Sequence, residues 1–222
     1  MNEQLAAGRE SSATQAAYQA LRYMILTGEL PAGEKLKIER LRSMLDTGAS
    51  PVREALSLLT SDMLVERLDQ RGFRAAPASP SDFQEILSLR CTLEDMALRQ
   101  SIARATPEWE EALVLSHHRM RRISERGDVR AFEEAHKDFH MALLANADSP
   151  ILLRYCSQLY DLNIRYRYLA AESTDYKKRD IAAEHQEILE AACRADADAA
   201  ASSLIRHYRL TGDYLTVALA NL

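Results

Sequence analysis

The chain has 222 residues, 47% of them hydrophobic and 27% charged, the profile of a globular protein of one or two domains with enough apolar material for a sizeable core. No apolar run approaches the roughly 18 residues of a membrane span, and Met1 to Ser12 is polar rather than signal-like, so a membrane protein is excluded and a cytoplasmic one expected. The net charge of -5 excludes a uniformly basic coat, but a sequence-specific DNA binder needs only a local basic face.

In chain order, Thr14 to Thr27 carries apolar residues at Ala17, Leu21, Met24 and Ile25 and is stopped by Gly28, which predicts a first helix. A turn with Pro31 and Gly33 leads to a second helix marked by Ile38, Leu41 and Leu45 and broken by Gly48. Ser50 then reads as a cap and Pro51 as the first residue of a third helix, whose buried stripe is Val52, Leu56 and Leu59. Arg53, Ser57 and Thr60 fall on its open face. Leu64 to Leu68 and Gly72 to Ala75 flank Asp69-Gln70-Arg71 as a hairpin with a basic tip. Helices joined by a tight turn and followed by a hairpin predict a winged helix-turn-helix.

Five of the seven glycines precede residue 77, so a turn-rich small domain gives way to long helices. Pro77 and Pro80, among small residues, place the boundary between domains 1–77 and 78–222, with Ser79 expected to cap the next helix. Residues 1–77 hold 10 Lys/Arg against 10 Asp/Glu, whereas 78–222 hold 18 against 23 and carry the whole deficit. Six helices are expected there, near 80–104, 107–126, 129–146, 150–172, 178–194 and 197–220, with caps at Thr106, Asp128, Ser149 and Asp196. The fold class is thus mainly α, an N-terminal winged helix-turn-helix plus a C-terminal all-α six-helix bundle.

Within that bundle, His136 and His140 are four apart and share a face with Phe132, Phe139 and Leu143. His185 falls on the stripe of Ile181, Ile188 and Leu189, and His207 goes with Leu204, Tyr208, Thr211 and Leu215. An imidazole buried without a partner costs roughly 1–3 kcal/mol, so four facing a core ask for a shared divalent cation. Nitrogen ligands favour zinc or nickel. Arg90 lies on the stripe of Phe83, Ile86, Leu87 and Glu94, where it either pairs with Glu94 or binds a ligand, and Arg165 sits at the edge of the face marked by Leu162 and Leu169. A cation and an arginine in one cavity would select a small carboxylate effector. His117 and His118, adjacent in sequence, are expected at a surface edge, and Cys91, Cys156 and Cys193 as reduced core residues.

Three separated motifs, Ile25-Leu26-Thr27-Gly28-Glu29-Leu30-Pro31-Ala32-Gly33-Glu34-Lys35-Leu36, Pro51-Val52-Arg53-Glu54-Ala55-Leu56 and Gly72-Phe73, resemble the GntR family of bacterial transcriptional regulators. The C-terminal part resembles the FCD effector-binding domain of its FadR-like members through Leu89-Arg90, Leu93-Glu94, Phe139-His140, Glu184-His185 and His207. The sequence departs from the family where Gly48, Ala49 and Ser50 replace the frequent Ser-Arg-Thr, and where His136 replaces the usual Asp or Asn.

The resemblance implies a homodimer on double-stranded operator DNA, with Arg40, Arg42, Ser50, Arg53, Arg71 and Gly72 at the DNA, His136, His140, His185 and His207 on a metal, and Arg90 and Arg165 on the effector. It implies no enzymatic activity. A metal-dependent hydrolase is the rival reading, but His136-Lys137-Asp138-Phe139-His140 lacks the glutamate of HExxH. An effector-free DNA-binding protein would not need histidines and arginines facing a core.

Overall fold

The computed structural model describes residues 2–125, 129–169 and 179–219. It forms two compact units, Met1–Ser79 with Ile164–Ala171, and Pro80–Asn163 with Glu172–Leu222.

In the first unit α1 (Asn2–Leu26), α2 (Ile38–Met44) and α3 (Ala49–Ser61) combine with three short strands, β1 (Lys35–Leu36), β2 (Val65–Leu68) and β3 (Gly72–Ala75). α3 is helical because Val52, Ala55, Leu56 and Leu59 recur on one face, and all four are fully buried against α1. Leu21 and Ile25 of α1, Leu30, Leu41, Leu64 and Phe73 complete this core. α1 begins well before the expected Thr14. Ser50 is not the cap: Gly48 holds that position in extended conformation without a side-chain bond, and Ser50 lies inside the first turn, its hydroxyl 3.3 Å from Glu54.

The hairpin forms as expected, with Leu68 opposite Gly72 and a turn through Gln70 at φ 54°. Sequence periodicity missed β1, whose two residues pair with β3 at Lys35↔Arg74 and Leu36↔Phe73 to give the sheet order β1-β3-β2. Two residues are too few to show an alternating pattern, so only the partner strand reveals them.

The second unit contains α4 (Pro80–Ala103), α5 (Pro107–Ser124), α6 (Val129–Leu144), a 3-10 turn (Ala145–Ala147), α8 (Ile181–Cys193), α9 (Ala197–Leu219) and all of α7 (Pro150–Leu169) before Ile164, where the helix passes to the first unit. Thr106 caps α5 by accepting from the Trp109 amide at 3.2 Å, and Asp196 accepts from the Ala199 amide at 3.0 Å, as expected. Asp180, not foreseen, caps α8 through the Ala183 amide at 2.9 Å. The expected cap Asp128 lies outside the described residues.

α4 packs on α9, α5 on α6, and α8 on α9, around Leu98, Leu113, Phe139, Leu143, Ile188 and Leu204. The α4–α9 approach is close enough that a Cβ on Gly212 would lie 2.2 Å from a Leu87 methyl, so a larger residue there would require the Leu87 side chain to move aside. α6, α8 and α9 are thereby held with their histidine-bearing faces toward a common interior. Among the described residues no helix is long and apolar enough to cross a membrane.

Candidate functional site

The open face of α3 presents Ser50, Arg53, Glu54, Ser57 and Leu58. Arg53 and Arg71 are exposed and make no ion pair among the described residues. Arg40 and Arg42 are also exposed but already paired, Arg40 with Glu34 and Arg42 with Glu39 at 3.0 Å. Gly72 starts β3 at φ +92° with open space where a Cβ would be, so the backbone conformation, not crowding, requires glycine there. Arg67, exposed on β2 beside the hairpin tip, adds a cation that the sequence reading did not single out. These side chains place Arg53 beside Glu54 on the open face of α3 and Arg67 and Arg71 at the hairpin, where the exposed cations gather on a unit whose own formal charge is close to neutral.

In the second unit His136, His140, His185 and His207 are each at most 4% exposed, and one ring nitrogen from each lies within 4.8 Å of the other three. His136 Nε2 is 3.1 Å from both His140 Nε2 and His185 Nε2. Neighbouring nitrogens around a tetrahedral zinc, with bonds of about 2.0–2.1 Å, are separated by about 3.3–3.4 Å. The donor set and its spacing therefore fit a borderline divalent cation.

The second ring nitrogens of His136, His140 and His207 are held. His136 Nδ1 is 2.5 Å from the Tyr160 hydroxyl, His140 Nδ1 is 2.9 Å from that of Tyr208, and His207 Nδ1 is 2.7 Å from Glu184. Such bonds set ring orientation in metal sites generally. Burial acts to raise the Glu184 carboxyl, but hydrogen bonds from His207 and Arg179 outweigh it and hold the group down at about 2. Arg179 also reaches the Thr211 hydroxyl at 2.8 Å and the His207 carbonyl at 2.8 Å, tying the start of α8 to α9.

Next to the histidines is a buried ionic network. Arg90 donates to Glu94 at 2.7 Å and to the Asn163 amide oxygen at 2.9 Å, and its guanidinium lies over the rings of Tyr208 at 4.2 Å and Tyr160 at 4.9 Å. Glu94 is fully buried and accepts a further hydrogen bond from the Tyr208 hydroxyl. Arg90 Nη2 has no hydrogen-bond partner among the described residues. Removing two charges from water costs several kcal/mol per ion, which an ion pair alone does not reliably return, so the network points to a role beyond stability.

The FCD domain model matches residues 85–210, and that of the bacterial regulatory proteins of the gntR family matches residues 13–74. The chain belongs to the GntR family. It is 38% identical over 202 residues to the HTH-type transcriptional regulator BphR of Paraburkholderia xenovorans (strain LB400), covering 88% of this chain and 82% of that one. It is 31% identical over 200 residues to the HTH-type transcriptional repressor GlaR of Escherichia coli (strain K12), covering 87% and 91%. The solved structure of E. coli McbR/YncC superposes with a TM-score of 0.78 over 91% of this chain and 96% of that one, at 22% identity. This GntR protein is therefore a DNA-binding transcriptional regulator with a C-terminal FCD domain, in a family of regulators rather than enzymes.

The four histidines expected to converge in this GntR chain do come together, and Arg90 lies beside them. Arg165 does not: it is buried, but its guanidinium donates to the Ala76 and Pro77 carbonyls, at 3.4 Å for the latter. Those carbonyls, just past β3, are an acceptor set far from Arg165 in sequence, which periodicity could not reveal. The Arg90–Glu94 pair was legible from the i, i+4 spacing, whereas Tyr160, Asn163 and Arg179 were missed because they come from distant turns.

His117 corrects a second expectation. It is buried against Phe139, ring centroids 5.2 Å apart, with Nε2 unpartnered among the described residues, and of the two only His118 is exposed. Leu113 and Met120 lie three to four residues away on the same buried face, a pattern that was available in the sequence. Among the cysteines, all free, Cys156 is buried and its thiol pushed up to about 12 by desolvation, while Cys91 and Cys193 are half-buried.

Proposed function

We propose that this regulator senses a small carboxylate in its FCD domain and that His136, His140, His185 and His207 hold a divalent cation, zinc or nickel, as part of that site. The carrying observation is four buried imidazoles whose donor nitrogens lie within 4.8 Å of one another. A bound cation would supply a Lewis-acid centre to which a carboxylate oxygen can coordinate. Arg90 is the partner for the rest of the carboxylate, since its Nη2 is buried with no acceptor among the described residues. Arg165, committed to backbone carbonyls, is set aside in favour of Arg90.

The output side is a homodimer on paired operator half-sites about one helical turn apart. Arg53 reaches base edges or phosphate from α3, with Ser50 beside it, while Arg40, Arg42 and Arg71 contact the backbone and Gly72 lets the hairpin approach the groove. Effector can act only by binding two states of the dimer unequally.

The test is elemental analysis of protein purified without chelator, with thermal unfolding before and after EDTA and after adding zinc or nickel. Near one cation per chain, a lower Tm after chelation and recovery with metal are expected. No metal together with an intact carboxylate response would overturn the reading. Light scattering at micromolar concentration should give a dimer; a monomer that still binds a full operator one to one would remove the dimer from the proposal.

A further inference from the structure

Two of the four histidines end hydrogen-bond chains built alike. From His140 the chain runs Nδ1 to the Tyr208 hydroxyl at 2.9 Å, from that hydroxyl to Glu94, and from Glu94 to Arg90 at 2.7 Å. From His207 it runs Nδ1 to Glu184 at 2.7 Å and from Glu184 to Arg179 at 2.5 Å. In both a carboxylate is clamped by an arginine on one side and faces a histidine, directly or through a phenol, on the other.

The direction of each bond follows from its chemistry. An ionised carboxylate only accepts, so the Tyr208 hydroxyl must donate to Glu94, and its oxygen is then left to accept. His140 Nδ1 therefore carries a proton. Glu184 is likewise an acceptor, and at 2.7 Å it is much nearer His207 Nδ1 than the Arg179 Nη2 donor at 3.4 Å, so His207 Nδ1 carries one too. A neutral imidazole protonated at Nδ1 has its lone pair at Nε2, and His140 Nε2 is the atom 3.1 Å from His136 in the cluster.

We propose that Glu94, through Tyr208, and Glu184, directly, are positioning residues that fix His140 and His207 as the Nδ1-protonated tautomer, leaving both Nε2 lone pairs ready to ligate. This rests on the metal reading above and adds which residues prepare the ligands. It also gives the buried ion pair a use. Arg90 pairs with the fully buried Glu94 at 2.7 Å, and a carboxylate engaged by a guanidinium on one side is the acceptor to which Tyr208 donates on the other. Arg179 does the same for Glu184 and, by also binding the His207 carbonyl, holds ring and carboxylate in one register.

The test combines nitrogen-15 NMR of the imidazoles with calorimetric titration of Ni²⁺ into the full-length protein. In the wild type His140 and His207 should show protonated Nδ1 and unprotonated Nε2 before Ni²⁺ is added. Tyr208→Phe removes the relay to His140 but keeps the Arg90–Glu94 pair, and Glu184→Gln removes the charge facing His207. Each should shift its own histidine toward a tautomer mixture, leave the other unchanged, and weaken Ni²⁺ binding about 10–100-fold. Glu184→Asp should recover part of the loss.

Should Glu184→Gln unfold, Tyr208→Phe, which deletes one oxygen, decides the His140 chain, and Glu184→Asp together with the wild-type tautomer of His207 decides the other. Wild-type protein with protonated Nε2 at either histidine, or variants that lower Tm and Ni²⁺ affinity without moving the tautomer, would overturn the proposal. Wild-type protein with the expected tautomers but no Ni²⁺ binding would instead overturn the metal reading and leave the positioning role standing.

Discussion

The two units use charge in opposite ways. In the winged-helix unit Arg53, Arg67 and Arg71 are exposed, and among the described residues the one buried charged side chain is Arg165, tied to the Ala76 and Pro77 carbonyls rather than to an ionic partner. In the helical unit charged and titratable groups sit at the centre, with Arg90, Glu94 and four histidines each at most 4% exposed. A surface meant for a polyanion needs solvated, adjustable cations, whereas a site that discriminates among small ligands needs desolvated groups fixed by their partners. Stability and function are therefore separable in the first unit and entangled in the second.

The sharpest way to break this contrast is in the second unit. Replacing His140 or His185 by Ala is expected to abolish metal retention and the carboxylate response while operator binding persists, as read by elemental analysis and DNA titration with and without ligand. An effector response surviving in both variants would mean that the buried polar centre is not the sensor.

Next in size is a cavity in the apolar core of the first unit. Leu56→Ala should cost about 2–5 kcal/mol and remove DNA binding, while Ni²⁺ titration of the second unit stays unchanged. Loss of both together would show that the two cores do not fold independently.

At the surface, Arg53→Ala should weaken specific operator binding by about 1–3 kcal/mol with no change in Tm. The Arg42–Glu39 pair sharpens this further: as an exposed ion pair it contributes less than about 0.5 kcal/mol to stability, so Arg42→Ala should register only in the salt dependence of binding.

The smallest effect concerns pH and His117. Burial, with Arg121 and His118 nearby, lowers its pKa below the ordinary 6.5, so the folded chain resists protonation that the unfolded chain accepts. Its contribution is complete above pH 6.5 and is lost as pH falls through the lowered value. His117→Leu should flatten urea-measured stability against pH below 6.5 without loss at neutral pH; an unchanged slope would show that His117 does not titrate on unfolding.

Much of this was written in the sequence because it is local. The spacing of Val52, Leu56 and Leu59, the prolines at 77 and 80, and histidines on the apolar stripes of three helices follow from a period of 3.6 residues and from backbone chemistry that each segment carries alone. Such reasoning could say that four imidazoles face inward. It could not say what their outer nitrogens meet.

Tertiary structure decided the rest. That Tyr160 and Tyr208 reach His136 and His140, that Asn163 and Glu94 hold Arg90, and that Arg165 turns to the Ala76 and Pro77 carbonyls depend on which turns of separate helices are brought level. Hydrogen bonds act over about 3 Å, and the rotation and register that set such distances come from packing across the whole core, which no single segment encodes.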